Sequence, residues 1–256
     1  MNREQIRQYL FVIRELTGRE IKRKYARSYL GILWSVLNPL LSMAVMSAVF
    51  STMFRRNIQN YPVYYLTANI LWTFFTGATN AAMTALVDSK TMLLRVKLPM
   101  SIFPLSRCCT AFVNFGYSLA AYLVILLVFR IPPNPYMPLL FLFAAGVFFF
   151  SLGLGYLLSV LYALFADIKY LYSVLLMMWL YLSAIFYPVE STTPAMQAVI
   201  LRNPIYNFIS SARKCILYGT LPNRGEWLCM FGWSIGMYLL GRVVFRKMQD
   251  RILQKI

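Results

Sequence analysis

The sequence contains no histidine, and only 8 of its 256 residues are acidic. Histidine is the commonest side chain for general base catalysis and metal binding near neutral pH, so its absence argues against the usual hydrolytic and metal sites. No glycine is followed by lysine, so the Gly-Lys-Ser/Thr loop that binds nucleotide phosphates is also absent. If ATP drives this protein, another chain must hydrolyse it.

Charged residues are scarce as well. They make up 13% of the chain, against 60% for the AVILMFWYC residues, and the mean hydropathy is +0.61. Soluble domains carry about 25% charged residues, and a soluble domain of this size could not hide so much apolar surface. The composition excludes a soluble globule, a disordered chain and a disulfide scaffold. It predicts an all-α membrane protein with several spanning helices.

Six stretches approach the length of about 20 helical residues that a bilayer requires. The predicted spans are 31–54, 63–87, 101–129, 138–166, 170–189 and 227–245. The sixth is the weakest, because Glu226 and Arg242 enclose only 15 uncharged residues and the Arg242 side chain must extend to the interface. The chain therefore divides into residues 1–30, which contain no span, and a six-span domain over 31–256.

Residues 1–30 combine eight basic residues with an apolar stripe at helical spacing. The stripe consists of Ile6, Tyr9, Leu10, Ile13 and Leu16. A basic helix with one apolar face is typical of an amphipathic helix at a membrane interface.

The formal net charge of +17 does not indicate a nucleic-acid partner, because basic residues of membrane proteins gather in cytoplasmic segments. With the N-terminus inside, eighteen of the 25 basic residues lie in inner segments and seven in outer ones. This asymmetry predicts that both termini are cytoplasmic.

The segment 188–225 is too long for a plain turn. Its apolar pieces 195–201 and 204–212 lie between prolines, and neither can span a bilayer. They predict a re-entrant helical hairpin on the outer side, a candidate gate between the fifth and sixth spans. A folded surface loop is the alternative.

Several function classes lose support from the placement of particular residues. No acid lies in the middle of a span, which argues against an ion-coupled carrier. The sequence also lacks the charged rings or carbonyl filter of a channel, and its acids are too scattered for a membrane transferase.

Asn38-Pro39 within the first span predicts a kink with a freed carbonyl. Gly153 and Gly155 are small residues that permit close contact between helices.

The loop 88–100 is short and contains both basic and apolar residues. Met92, Leu93, Val96 and Met100 recur at helical spacing. The spacing predicts a short amphipathic helix that either lies on lipid or docks into a partner.

Four segments along the chain carry a family resemblance. They are RSYLGILWSVLNPL at 27–40, LRVKLP at 94–99, AIFYPVE at 184–190 and NPIYNFI at 203–209. In this order, after a basic N-terminal helix, they resemble the permease subunits of ABC-2 type polysaccharide exporters, the teichoic-acid, O-antigen and capsule group.

The resemblance implies a homodimer of six-span subunits in the bacterial cytoplasmic membrane, with two separate ATPase subunits that hold ATP and Mg. This chain itself would be non-catalytic and hold no cofactor. A lipid-linked glycan would pass through a central channel surrounded by membrane lipids. By matching motifs, Trp34 and Asn38 would face this channel, and Phe186 and Tyr187 would lie near its outer end.

Two further sets of residues follow from the same resemblance. The ATPase-coupling helix at 90–98 would use Lys90, Met92, Leu93, Arg95, Val96 and Lys97. The outer gate would include Pro188, Asn203, Pro204 and Tyr206. Two other functions stay open at this point: an ABC-2 type permease for a drug or lipid, and a membrane-embedded enzyme that modifies glycans or lipids.

Overall fold

The computed structural model describes residues 3–26, 28–54, 58, 60–95 and 98–255. Across these ranges the chain is all-helical, without a β-strand. The helices are α1 (Arg3–Tyr25), α2 (Leu33–Phe50), α3 (Tyr61–Asp88), α4 (Lys90–Arg95), α5 (Ile102–Val128), α6 (Leu139–Leu164), α7 (Ile168–Leu182), α8 (Pro194–Leu201), α9 (Pro204–Leu217) and α10 (Arg224–Lys255). A 3-10 turn over Val189–Ser191 precedes α8.

In the part of the chain that the structure describes, five helices are long and apolar enough to cross a membrane: α2, α3, α5, α6 and α10. Each overlaps a predicted span, although α10 continues past the expected end at residue 245 to Lys255. The predicted fifth span, 170–189, differs more. It overlaps the 15-residue helix α7, which begins at Ile168 and ends at Leu182, because the chain after Ser183 leaves the helical path at Ala184 with φ +46°.

Helix α3 is the centre of the bundle. It packs against α2, α5, α6, α7 and α9, and most of its side chains are buried. Buried hydroxyl groups join it to two of these neighbours, at 2.6 Å between Thr67 and Tyr122 of α5 and at 2.6 Å between Thr79 and Tyr172 of α7. The apolar helices α2, α5, α6 and α7 are therefore arranged around one shared core helix, whereas α10 packs on α6 and α9.

Helices α6 and α10 form the other extensive contact of the bundle. They cross where Gly153 faces Gly241, and Gly155 lies against Ala82 of α3. The prediction that these small residues permit close helix contact is confirmed.

Helix α1 lies against α5 rather than apart from the bundle. Leu16 is buried, while Tyr9 and Ile13 pack partly on the core. Ile6 and Leu10, from the same predicted stripe, stay exposed. The apolar face of α1 is therefore shared between the protein and its surroundings.

Helices α8 and α9 form the hairpin that follows α7. Asn203 caps α9, since its side-chain oxygen accepts from the Ile205 amide, and Pro204 occupies the first turn. Helix α10 then begins with a reciprocal capping box in which Asn223 and Glu226 each accept the other's backbone amide, both at 2.8 Å. Local sequence thus determines where each of these helices starts.

Candidate functional site: two polar cavities in the bundle

A cavity of about 590 Å³ lies among the end of α1, the start of α2 and the facing sides of α3 and α5. We call it the α1-side cavity. Its polar lining consists of Ser35, Asn38, Ser42, Asn69, Thr73, Thr110, Asn114 and Ser118. Four of these side chains already donate within the protein: Thr73 to the Asn69 carbonyl, Thr110 to that of Ser106, Asn114 to that of Thr110 and Ser118 to that of Ser35. The remaining donor and acceptor capacity of the lining suits a hydrophilic ligand.

A proline in α2 shapes one wall of this cavity. Pro39 has no amide hydrogen, so the carbonyl of Ser35, four residues earlier, loses its usual helical partner. The hydroxyl of Ser118 donates to that carbonyl at 3.0 Å. The predicted freed carbonyl is thus present, and it ties α2 to α5.

Tyr25, at the end of α1, lines the α1-side cavity. Its hydroxyl donates to the Asn114 side-chain oxygen at 2.8 Å and also contacts the Ser35 hydroxyl. The N-terminal helix is consequently part of the cavity wall.

A charged cluster marks the mouth of the α1-side cavity. Arg107 of α5 pairs with Glu20 of α1 and lies 3.5 Å from Asp88 at the end of α3. The Arg107 and Glu20 side chains are only 14% and 12% exposed. Arg23 and Lys24 also line the cavity, so three cations face the two acids Glu20 and Asp88, and the remaining positive charge favours an anionic group at the mouth.

A second cavity, of about 630 Å³, lies at the opposite end of α3, beside the hairpin. We call it the hairpin-side pocket. Its lining includes Tyr64, Pro188, Glu190, Tyr206, Ser210, Arg213, Lys214, Tyr218 and Thr220. The pocket therefore combines three tyrosine rings with polar and charged groups.

Arg213 is the exceptional residue of this pocket, since it is charged yet only 4% exposed. Among the described residues, no carboxylate forms a salt bridge with it. Its guanidinium donates to the carbonyls of Tyr64, Ala184 and Ile185 at 3.2, 2.9 and 2.9 Å. The group also lies 3.4 Å from the Tyr64 ring centroid, a cation–π contact.

The residues after α7, 183–187, form what we call the unwound segment. Side chains from other elements donate hydrogen bonds to its successive backbone carbonyls. Tyr61 and Tyr64 of α3 donate to the carbonyls of Phe186 and Tyr187 at 2.9 and 3.0 Å. Since Arg213 holds the two preceding carbonyls, four consecutive carbonyls accept from side chains rather than from helical amides.

The four predicted channel residues fall into two groups. Trp34 and Asn38 both line the α1-side cavity. Phe186 and Tyr187 lie in the unwound segment, where the Phe186 ring stacks with Phe50 and Tyr65. The structure thus brings each pair together but places the two pairs at different ends of the bundle.

The four predicted gate residues lie around the unwound segment and the hairpin. Asn203 is buried and donates to the Leu182 carbonyl at 2.9 Å. Pro188 and Tyr206 line the hairpin-side pocket, and Pro204 occupies the first turn of α9. The motif at 184–190 therefore meets the motif at 203–209 in space.

The predicted coupling segment contains the helix α4. Lys90 and Arg95 are exposed, whereas Met92 and Leu93 are half-buried against the protein's own core. Val96 and Lys97 lie outside the described residues. The basic side chains are thus more available to a partner than the apolar ones.

Sequence reasoning missed Arg213, Tyr61 and Tyr64. Arg213 was counted with the basic residues of an outer segment, and nothing in its neighbourhood along the chain distinguishes it from Lys214. The contacts that define its role join residues 28, 29 and 149 positions apart. Only the fold brings them together.

A bundle of apolar helices with polar cavities between them defines a multi-pass α-helical membrane protein. Within that class, the ABC-2 type transporter family model matches residues 12–217. The chain belongs to this family, as the motifs had indicated.

Curated relatives match nearly the whole chain. The O-antigen export system permease protein RfbA of Myxococcus xanthus is 26% identical over 251 residues, covering 97% of this chain and 96% of the relative. An RfbA of Klebsiella pneumoniae is 26% identical over 248 residues, covering 96% and 95%. The polysialic acid transport protein KpsM of Escherichia coli is 20% identical over 245 residues, covering 92% of each.

Proposed function

We propose that this chain is the permease of an ATP-driven exporter that moves a lipid-linked polysaccharide across the bacterial cytoplasmic membrane. The observation that carries the proposal is the near full-length similarity to permeases named for O-antigen and polysialic acid export. The hydroxyl- and amide-lined α1-side cavity supports it, because a glycan presents hydroxyl groups along its length.

The α1-side cavity is the proposed start of the substrate path. Arg23, Lys24 and Arg107 at its mouth suit the anionic group that links a glycan to its lipid carrier. Trp34, which is 48% exposed, offers a ring on which a sugar face can pack. Asn38 offers both donors and an acceptor for sugar hydroxyls.

We further propose six spans, with α7 and the hairpin sharing one crossing. A 15-residue helix is about 22 Å long, shorter than a hydrocarbon core of about 30 Å. The unwound segment continues from it, and its carbonyls are bound by protein side chains, as backbone at membrane depth requires. The binding of these carbonyls by protein side chains supports a re-entrant hairpin at the outer end.

The proposed assembly is a homodimer with two ATPase subunits that bind ATP and Mg. Only Pro39 of α2 and only Tyr172 of α7 are buried among the described residues of those helices, so both have faces free for lipid or a second copy. The exposed Lys90 and Arg95 of α4 are the proposed contacts to the ATPase. This chain is proposed to catalyse no reaction itself.

Filling the α1-side cavity tests the proposed path. Gly77 of α3 lines this cavity, and a Cβ there meets no atom within 4 Å. Gly77→Leu should therefore insert a side chain into the path without a clash and abolish glycan export. Gly116→Leu is the matched control, since Gly116 is equally free of neighbours but does not line the cavity.

Export is measured as surface glycan in cells that lack their own exporter and produce the chain with its ATPase. We expect Gly77→Leu to assemble with the ATPase in normal amount. Normal surface glycan in this variant, or none with the wild-type chain, would contradict the proposal.

A further inference from the structure

Helix α9 has two faces of different character. Its apolar face is buried in the main core against α3, α6 and α10, and it consists of Ile205, Phe208, Ile209, Ala212, Cys215 and Ile216. Its polar face has the helical spacing i, i+4, i+7 and i+8, and it consists of Tyr206, Ser210, Arg213 and Lys214. All residues of the polar face line the hairpin-side pocket, so this face is turned toward the pocket.

The rest of the pocket wall comes from other elements. The 3-10 turn after the unwound segment contributes Glu190, and α3 contributes Tyr64. After α9, Gly219 has φ +60°, a left-handed conformation that suits a residue without a Cβ. The turn at Gly219 places Tyr218 and Thr220 in the wall. The volume of about 630 Å³ lies within the range of about 300–1,000 Å³ for small-molecule sites.

Arg213 and Glu190 line the same pocket without forming an ion pair. A guanidinium has five N–H donors, and three of those on Arg213 donate to the carbonyls of Tyr64, Ala184 and Ile185. Among the residues that the structure describes, the other two donors have no acceptor, and the Glu190 carboxylate has no donor. Both groups therefore keep hydrogen-bonding capacity for a ligand in the pocket.

The charges around the pocket nearly cancel. Lys214 pairs with Glu226 at the start of α10. The remaining charges of the lining are the positive Arg213 and the negative Glu190. The pocket therefore has no excess positive charge to attract a phosphate or carboxylate group, in contrast with the mouth of the α1-side cavity.

The groups that remain available match a neutral saccharide. A sugar hydroxyl both donates and accepts hydrogen bonds, and the pocket offers donors on Arg213, an acceptor on Glu190 and the hydroxyl of Ser210, which can do either. Tyr206 is half-buried and Tyr218 is exposed, so their rings are available to the apolar face of a sugar. Aromatic rings beside paired donors and acceptors suit this ligand better than an apolar or an anionic one.

We propose that the hairpin-side pocket binds a neutral segment of saccharide, with Arg213 and Glu190 bound to its hydroxyls and Tyr206 and Tyr218 packed on its rings. The inference rests on the proposed export function, which would bring the saccharide to this end of the bundle. It adds a second sugar site to that function. The α1-side cavity and this pocket lie at opposite ends of α3, so an exported glycan would reach this pocket last.

Protection of a single cysteine measures binding to the pocket. Ser210→Cys is placed in a chain without its four native cysteines, and the purified complex with the ATPase is treated with a small thiol reagent. The reaction rate is measured alone, with glucose, galactose, mannose, rhamnose or N-acetylglucosamine, and with inorganic phosphate. Ala198→Cys in α8 is the control, since this position is exposed and does not line the pocket.

We expect at least one of these sugars to slow the reaction of Ser210→Cys in a saturable way. The same sugar should have no effect on Ala198→Cys, and phosphate should protect neither position. Absence of protection by every sugar in the set would overturn the proposal. Protection of Ser210→Cys by phosphate would also overturn it, because the pocket would then be an anion site.

Substitutions in the Ser210→Cys chain test the named contacts. Glu190→Gln should weaken sugar binding about tenfold, because hydrogen bonds to charged groups are stronger than those between neutral groups. Tyr218→Ala should weaken it about fivefold through loss of a ring contact. Glu15→Gln and Tyr170→Ala are the matched controls, since both residues are exposed and line neither cavity.

The labelling rate without sugar separates a lost contact from a misfolded pocket. We expect this rate to be the same in Glu190→Gln and Tyr218→Ala as in the parent chain, with only the protection reduced. Undiminished protection in either variant would overturn the assignment. A complex that shows protection but exports no glycan counts against the proposed export function. A complex that exports glycan without any protection counts against the pocket alone.

Discussion

Gly153 of α6 and Gly241 of α10 bring the two helix backbones into direct contact. A Cβ on Gly241 would lie 2.0 Å from the Gly153 carbonyl oxygen, and a Cβ on Gly153 would lie 2.3 Å from that of Met237. No flexible side chain stands at this contact to move aside. The helices pack this closely only because both positions lack a side chain.

Gly241→Ala should therefore destabilise the protein. The methyl group meets backbone atoms, and overpacking of this kind costs about 1–3 kcal/mol. Gly236→Ala in the same helix is the control, because a Cβ there has no neighbour within 4 Å. The measurement is the temperature of half-unfolding in detergent. Equal temperatures for the two variants would show that α6 and α10 are further apart than described.

The pair of Glu20 and Arg107 should contribute strongly to the attachment of α1. Arg107→Met leaves the nearly buried Glu20 carboxylate without its main partner, and breaking a buried pair costs about 3–5 kcal/mol. Arg23→Met is the control, since the Arg23 side chain is 71% exposed and surface pairs contribute about 0–1 kcal/mol.

Limited trypsin digestion of the purified protein measures this attachment. We expect rapid cleavage within α1 in Arg107→Met and a wild-type rate in Arg23→Met. If Arg107→Met resisted trypsin like the wild type, the contacts of Tyr25 and of Thr17, whose hydroxyl donates to the Ser106 carbonyl of α5, would be sufficient to hold α1.

The α4 helix should carry the ATPase contact mainly through its charges. Lys90→Glu with Arg95→Glu reverses two exposed side chains and should remove the ATPase subunit during purification, while the membrane chain itself remains. The control is Arg202→Glu with Arg224→Glu, which makes the same charge change at the opposite end of the bundle. This variant should retain the ATPase subunit. Retention of the ATPase subunit by the Lys90→Glu, Arg95→Glu variant would contradict this prediction and would indicate that α1 makes the contact.

The positive-inside asymmetry predicts a defined orientation. Thr91→Cys in α4 should react with a membrane-impermeant thiol reagent only in inverted vesicles, and Thr220→Cys after α9 only in intact cells. Both side chains are exposed, so failure to react reports the side of the membrane rather than burial. Labelling of Thr91→Cys in intact cells would reverse the proposed topology.

The spans were predictable because hydrophobic length is a local property. Residues 63–87 contain 25 consecutive uncharged residues, and α3 covers 61–88. Local chemistry also identified Asn38-Pro39, whose freed Ser35 carbonyl is present, and Asn203-Pro204, which starts α9. In each of these cases the determining residues are neighbours in sequence.

The end of α7 was not predictable in this way. Residues 183–187 are as apolar as the helix before them, so hydropathy extended the span to Val189. What keeps the following residues out of the helix is the binding of the carbonyls of residues 184–187 by Tyr61, Tyr64 and Arg213, which are distant in sequence. The role of Arg213 was not predictable for the same reason, because its buried environment comes from three separate elements.

The short α7 also has a consequence for how the protein is made. When α7 leaves the ribosome, α3 with its two tyrosines has already been synthesised, but Arg213 follows Ala184 by a further 29 residues. A nascent chain that has reached only Tyr187 therefore presents the membrane with a helix of about 22 Å and two carbonyls, those of Ala184 and Ile185, that Arg213 does not yet bind. We expect stable integration of this segment to follow the synthesis of α9.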